Sequence, residues 1–218
     1  MKKKIISSLL ASIIFAAATT TVFADTTSQI STSFTGGSLS VTPETLVLPA
    51  AVISASTVVT TEKNIHPLIN DSRGTGGGWS LSIAVSDFES VALPDKTNSA
   101  GGSTMTVGFS SGYLDASVWS VYRNADAGQA EDATHGPKKV GDSLVTLGTG
   151  PTQMIVADAG YGMGEYQTDI NFILRLPKSG KVKTLSAPGT SNYSVGSDVG
   201  LLDGSYTATF TYTLGTGI

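Results

Sequence analysis

The 218-residue chain contains no cysteine. No disulfide framework and no thiolate metal site can form, and no cysteine is there to take a lipid anchor. Histidine is almost as scarce. His66 and His135 are too few and too isolated for zinc, which asks for three or four nitrogen, sulfur or carboxylate ligands. Basic charge is short as well: 13 Lys and Arg stand against 17 Asp and Glu. Nucleic acid is excluded as a partner, because phosphate binding needs a basic face. Long helical patterns are missing. The best stretch, Asn124–Gly136, has too few large apolar residues for an amphipathic face. The C-terminal TATFTYTLGTGI carries neither an apolar tail with a basic stop nor a sorting motif for covalent attachment to a surface.

The one long apolar run is at the N-terminus. Lys2, Lys3 and Lys4 precede small and apolar residues from Ile5 to Ala18, and Val22 and Ala24 sit at the small-residue positions before a cleavage site. The run is shorter than the ~20 residues that span a bilayer, and polar Ser/Thr-rich chain follows it. Residues 1–24 therefore read as a secretory signal peptide. Its removal leaves ten basic residues against 17 acidic ones, a net charge of −7, and nothing that inserts in the membrane. Residues 25–36 read as a flexible leader and 37–218 as one β domain, long enough to bury a core without staples.

In that domain the dominant period is two, the signature of strands. WSLSIAV puts Trp79, Leu81, Ile83 and Val85 on one face. MTVGF does the same with Met105, Val107 and Phe109, and INFILRL with Ile170, Phe172, Leu174 and Leu176. In YTATFTYTL, Tyr206, Ala208, Phe210, Tyr212 and Leu214 alternate with an outer row of threonines, as in a sheet wetted on one side. Glycine, proline, Asn and Asp clusters at 74–78, 94–102, 124–139, 148–151 and 188–200 mark turns and loops. The expected fold is all-β: an antiparallel β-sandwich with Greek-key-like connections and long polar loops.

Candidate chemistry is thin. GFSSG (Gly108–Gly112) matches G-x-S-x-G with Ser110 as nucleophile, but YLDASVWSV follows it where the motif needs a helix. GTGGG (Gly74–Gly78) lacks the G-K-[ST] ending of a phosphate loop and leads into a strand, so no helix N-terminus is available for an anion. Asp87, Glu89, Asp126, Glu131 and Asp132 do not follow a calcium-loop pattern and read as solvated. No enzyme, cofactor or metal is expected. Trp79 is either a core residue or a platform for a sugar, and its shared face with Leu81, Ile83 and Val85 favours the core. For Trp119, in SVWSVY, both faces are mixed and periodicity does not decide. Arg73 is either a ligand contact or a loop lock on a nearby acid, with a surface ion pair worth ~0–1 kcal/mol as the default.

DSRGTGGGWSLSIAVSDF (Asp71–Phe88) resembles the proximal signature of WxL-domain proteins, surface proteins of low-GC Gram-positive bacteria. The matching positions are Asp71, Arg73, Gly74, Gly76, Gly78, Trp79 and Leu81. ADAGYGMGEY (Ala157–Tyr166), LRLP (Leu174–Pro177) and GSYTATFTYTL (Gly204–Leu214) resemble the middle and distal signatures in order and spacing, with Tyr206, Tyr212 and Leu214 in the distal one. The sequence departs from the pattern at Tyr212, which stands where a second Trp is usual, and the proline that normally follows soon after is missing. The resemblance implies an exported, non-covalently held cell-wall protein that binds peptidoglycan. It also implies complexes with other WxL proteins and with a membrane-anchored WxL-interacting protein. The alternative is a structural subunit or adhesin for a host or protein ligand, held at the wall by a partner. The glycines then serve to turn the chain into its strand, and Trp79 is expected to pack against the strand that carries Tyr212.

Overall fold

The computed structural model describes residues 31–54, 56–98, 101–187 and 191–217, with the side chains of 125–127 outside that description. Residues 1–24, expected as a signal peptide, and most of the expected leader 25–36 lie outside the described residues. Two units are distinguished, Met1–Phe34 and Thr35–Ile218, and the second is the β domain.

Seven strands come first: β1 (Leu39–Thr42), β2 (Val59–Ile65), β3 (Leu68–Asp71), β4 (Trp79–Val85), β5 (Phe88–Ser90), β6 (Leu93–Pro94) and β7 (Thr104–Phe109). A single 3-10 turn at Ser111–Tyr113 leads into β8 (Leu114–Gly128), β9 (Lys138–Lys139), β10 (Val145–Thr146), β11 (Thr152–Ala157) and β12 (Gly164–Leu176). The chain ends with β13 (Ser179–Leu185), β14 (Asp198–Gly200), β15 (Tyr206–Thr207) and β16 (Phe210–Thr216).

The strands form three antiparallel sheets. The first runs β1-β3-β12-β8-β10, and β2 joins it on the same side of β12 as β3. The second is β16-β4-β11-β9, and the third β14-β13-β7-β5-β15 with β6 beside β7. Sequential strands repeatedly change sheet: β3 belongs to the first, β4 to the second, β5 to the third. This switching gives the expected all-β sandwich its Greek-key character.

The alternation read from the sequence holds. On β4 the residues Trp79, Leu81, Ile83 and Val85 are buried and the serines between them are half-buried. Ile170, Phe172 and Leu174 on β12 face them across one hydrophobic core, which Ile65, Ile69 and Ile155 join. The third sheet has a smaller cluster of its own, made of Met105, Val107, Val182 and Val199.

Besides 188–200, expected as a loop but ending in β14, two stretches differ from the sequence reading. YTATFTYTL is not one strand. Its first two residues pair with β5 and its second half with β4. The break at Thr209 is tied to Ser86, whose N–H donates to Thr209 O (3.0 Å) and whose Oγ accepts from Thr209 N (2.9 Å). Alternation survives because changing sheets does not change which side faces the core. Asn124–Lys139, expected as one loop, begins as the last turn-free part of β8 and ends in β9. Pairing with β12 supplies the partners that the sequence pattern could not foresee.

Candidate functional site

The proximal signature begins where β3 ends. Asp71 is paired in register with Leu39 on one side and Gly164 on the other, and only 2% of it is exposed. Its carboxylate takes a two-pronged grip from Arg73: Nε donates to Oδ1 and Nη2 to Oδ2, both at 2.8 Å. The same Nη2 also donates to Gly78 O at 2.8 Å. Arg73 is thus a lock that closes the Asp71–Gly78 loop, and the default of an exposed ion pair does not hold, because its partner is buried. Such charge-assisted, bidentate bonds are the stronger class. The bond to Asp71 holds the guanidinium pKa above its ordinary value, against an opposing effect of burial.

The glycines let this loop nest against another. Gly76 and Gly78 have φ of 62° and 64°, a region that side chains other than glycine rarely adopt. A Cβ on Gly78 would stand 2.7 Å from Ala157 O. Gly76 O accepts from Gly160 N at 2.7 Å. The partner loop is the middle signature, Ala157–Tyr166.

Trp79 sits where the two loops meet. It is fully buried, its Nε1 donates to Gly162 O at 2.9 Å, and its ring meets that of Tyr166 at a tilt, centroids 6.2 Å apart. A Cβ on Gly162 would lie 2.6 Å from Ala157 Cβ and 2.7 Å from Trp79 Nε1, so only glycine fits beneath the indole. Tyr166 in turn donates its hydroxyl to Gln129 O at 2.6 Å, and burial, helped by the charge of Glu131, pushes its pKa up to about 12. Leu81 points into the core beside Trp79. The expectation that Trp79 packs against the strand that carries Tyr212 holds at the level of the strand. The strand carrying Tyr212 does lie beside β4, but Trp79 is level with Thr216, whereas Tyr212 stands opposite Ile83 and Leu214 opposite Leu81. Gly162 and Tyr166 were visible in the sequence only as part of a glycine-rich signature. Gln129 carried no signal at all.

Tyr206 and Tyr212 of the distal signature border an apolar groove of about 1100 Å³. One wall is the irregular strap Pro43–Ile53 and the other is Leu201–Tyr212, with Phe88, Phe109 and Leu174 between them. Tyr206 closes one turn of this wall by donating to Leu202 O and accepting from Leu202 N, both at 3.1 Å. Burial, with the charge of Glu44, pushes the Tyr212 phenol up to about 12.

Residues 22–216 match the family model described as WxL domain, surface cell wall-binding. The chain belongs to the WxL family. No curated protein and no solved structure matches it. Membership makes it a cell-wall-binding domain of the cell surface, and no helix among its described residues is long and apolar enough to cross a membrane.

In this WxL domain the residues that name the family are used inside the fold. Trp79, Leu81, Asp71 and the glycines hold two loops and two sheets together, and Trp79 offers no face to a ligand. The other candidates are placed in ordinary roles. Ser110 Oγ accepts from Gly112 N at 3.1 Å and caps the 3-10 turn between β7 and β8, so GFSSG is a turn between strands. His135 stacks on Tyr161 at 4.5 Å and bonds Asp132 at 3.1 Å. Asp132 Oδ1 also accepts the backbone N–H groups of Thr134 and His135, which hold its pKa below the usual range. Among the described residues no three His, Asp or Glu side chains gather as for a metal.

Proposed function

We propose that this WxL domain is exported, held non-covalently, and binds the peptidoglycan of the wall without catalysing a reaction. The observation that carries the reading is the family match, which spans nearly the whole chain and is a wall-binding one. The signal-peptide pattern of residues 1–24 supports export. The capping role of Ser110 supports binding over catalysis, since its hydroxyl already holds a turn. The net acidic charge supports a largely uncharged wall ligand over anionic polymers. The resemblance further supports a place in a surface complex with other WxL proteins and a membrane-anchored WxL-interacting protein.

Co-sedimentation of the purified protein with purified, protein-free peptidoglycan tests the reading. Direct retention is expected. Retention that appears only when a second surface protein is added would replace it with a subunit or adhesin held at the wall by its partner.

A further inference from the structure

The second tryptophan behaves unlike the first. Trp119 lies in the middle of β8 and is 57% exposed, whereas Trp79 is 0% exposed. A strand-borne indole left in water needs a reason, and the local register supplies one. Along the β8–β12 pair, Ser120 stands opposite Asp169 and Val118 opposite Ile170, so Trp119 is an extra residue with no partner of its own. This is a β-bulge, a device that re-aims a side chain. Val118 and Val121 turn to the core, and Tyr122, opposite Gln167, is 41% exposed. The outer face of the first sheet therefore presents two aromatic residues three positions apart.

The polar residues around the bulge are unusual in a second way. Asn171 lies between Ile170 and Phe172, both in the core, so alternation directs it to the same outer face. It is only 5% exposed, yet its Oδ1 is buried with no hydrogen-bond partner among the described residues. Asp169 Oδ1 is in the same position. His66 Nε2 lies 3.6 Å away, too far for a hydrogen bond. A few residues earlier on the same strand face, Glu165 is satisfied by the amides of Asn70 and Asn124. Among the described residues Asp95 Oδ2 and Asp115 Oδ2 also lack a hydrogen-bond partner, the latter ion-paired with Arg175 at 2.6 Å, and the two such atoms on β12 are Asp169 Oδ1, opposite Ser120, and Asn171 Oδ1, opposite Ser117. Buried acceptors without partners cost stability, so each asks for a physical reason.

We infer that this face, centred on Trp119, is the glycan-binding surface, and that it takes an uncharged chain of N-acetylated hexosamines. The inference rests on the peptidoglycan reading and locates it. The apolar face of a pyranose ring stacks on the exposed indole, with Tyr122 available to a neighbouring ring. Hydroxyl and acetamido N–H groups supply the donors that Asn171 and Asp169 lack. Carboxylates beside the platform disfavour an anionic polymer, and two aromatic residues three positions apart suit a chain of rings over a single small molecule.

The test is a titration of the purified protein with the β-1,4-linked N-acetylglucosamine tetramer, run alongside sedimentation with peptidoglycan. Because Trp79 is buried and Trp119 exposed, saccharide stacking should shift and quench the exposed component of the tryptophan emission. Trp119→Ala should abolish that change and weaken retention on peptidoglycan about tenfold or more, as for a central aromatic of an interface, with the melting temperature unchanged. Trp119→Tyr should restore much of the binding, which a purely structural role would not predict. Wild type and Trp119→Ala sedimenting equally would overturn the inference while leaving peptidoglycan binding standing. A wild type that fails to sediment would remove the peptidoglycan reading. The tetramer titration then decides the platform by itself, and an unchanged Trp119 emission overturns it. Equal affinity for a glucose tetramer would overturn the acetamido assignment.

Discussion

At the scale of single residues, the family signature is a set of local closures. Arg73 is the clearest. It bonds a buried carboxylate with two N–H groups and reaches on to Gly78 O. Arg73→Gln leaves Asp71 buried without its cation and the Gly78 carbonyl without its donor, and is expected to cost about 1–3 kcal/mol. Thermal or denaturant unfolding measures this, and a variant as stable as wild type would show that the loop holds without its lock. The position was legible as a choice between ligand contact and lock. It was not legible which, because the depth of Asp71 depends on β1 and β12 pairing on either side of it. Trp79 was more readable. Its burial follows from the alternation of seven adjacent residues, while the destination of its N–H, Gly162 O, depends on a loop far along the chain.

At the scale of elements, strands were readable and irregular segments were not. The strap Pro43–Ile53 has no regular structure, yet it walls the groove. Leu46 and Leu48 pack on the core from it. Glu44 Oε2 accepts from His66 N at 2.6 Å, and Thr61 Oγ1 donates to Pro49 O at 3.0 Å. Val47, between these ties, and Val52, beyond them, remain largely exposed. Leu48→Asp places a carboxylate against apolar groove atoms and should release the strap. Limited proteolysis is expected to cut within residues 43–53 about tenfold faster, with only ~1–2 kcal/mol lost globally, since the sheets do not depend on the strap. Unchanged cleavage would mean that the two polar ties hold it alone. The split of Tyr206–Leu214 into β15 and β16 belongs to this scale too. A period of two is the same in either sheet, so the pattern is silent about where a strand leaves one for the other.

At the scale of the whole molecule, stability is unevenly distributed. The first and second sheets share the large core that holds Trp79, Tyr166 and Phe172, while the third has four smaller buried residues of its own. Amides of β13 and β14 are expected to exchange through openings roughly 1–2 kcal/mol easier than those of β4 and β12. Hydrogen exchange read by mass spectrometry checks this, and uniform protection would show a single cooperative unit. The sequence by itself determined the all-β class, most strand faces and the burial of Trp79, because side-chain direction in a strand alternates with neighbours only one and two residues away. Tertiary structure alone decided that Arg73 is a lock, that Gly162 receives the indole N–H and that Trp119 is turned out to solvent. Each of these depends on how segments distant in the chain come into register, and the extra residue at Trp119 exists only relative to the strand it is paired with.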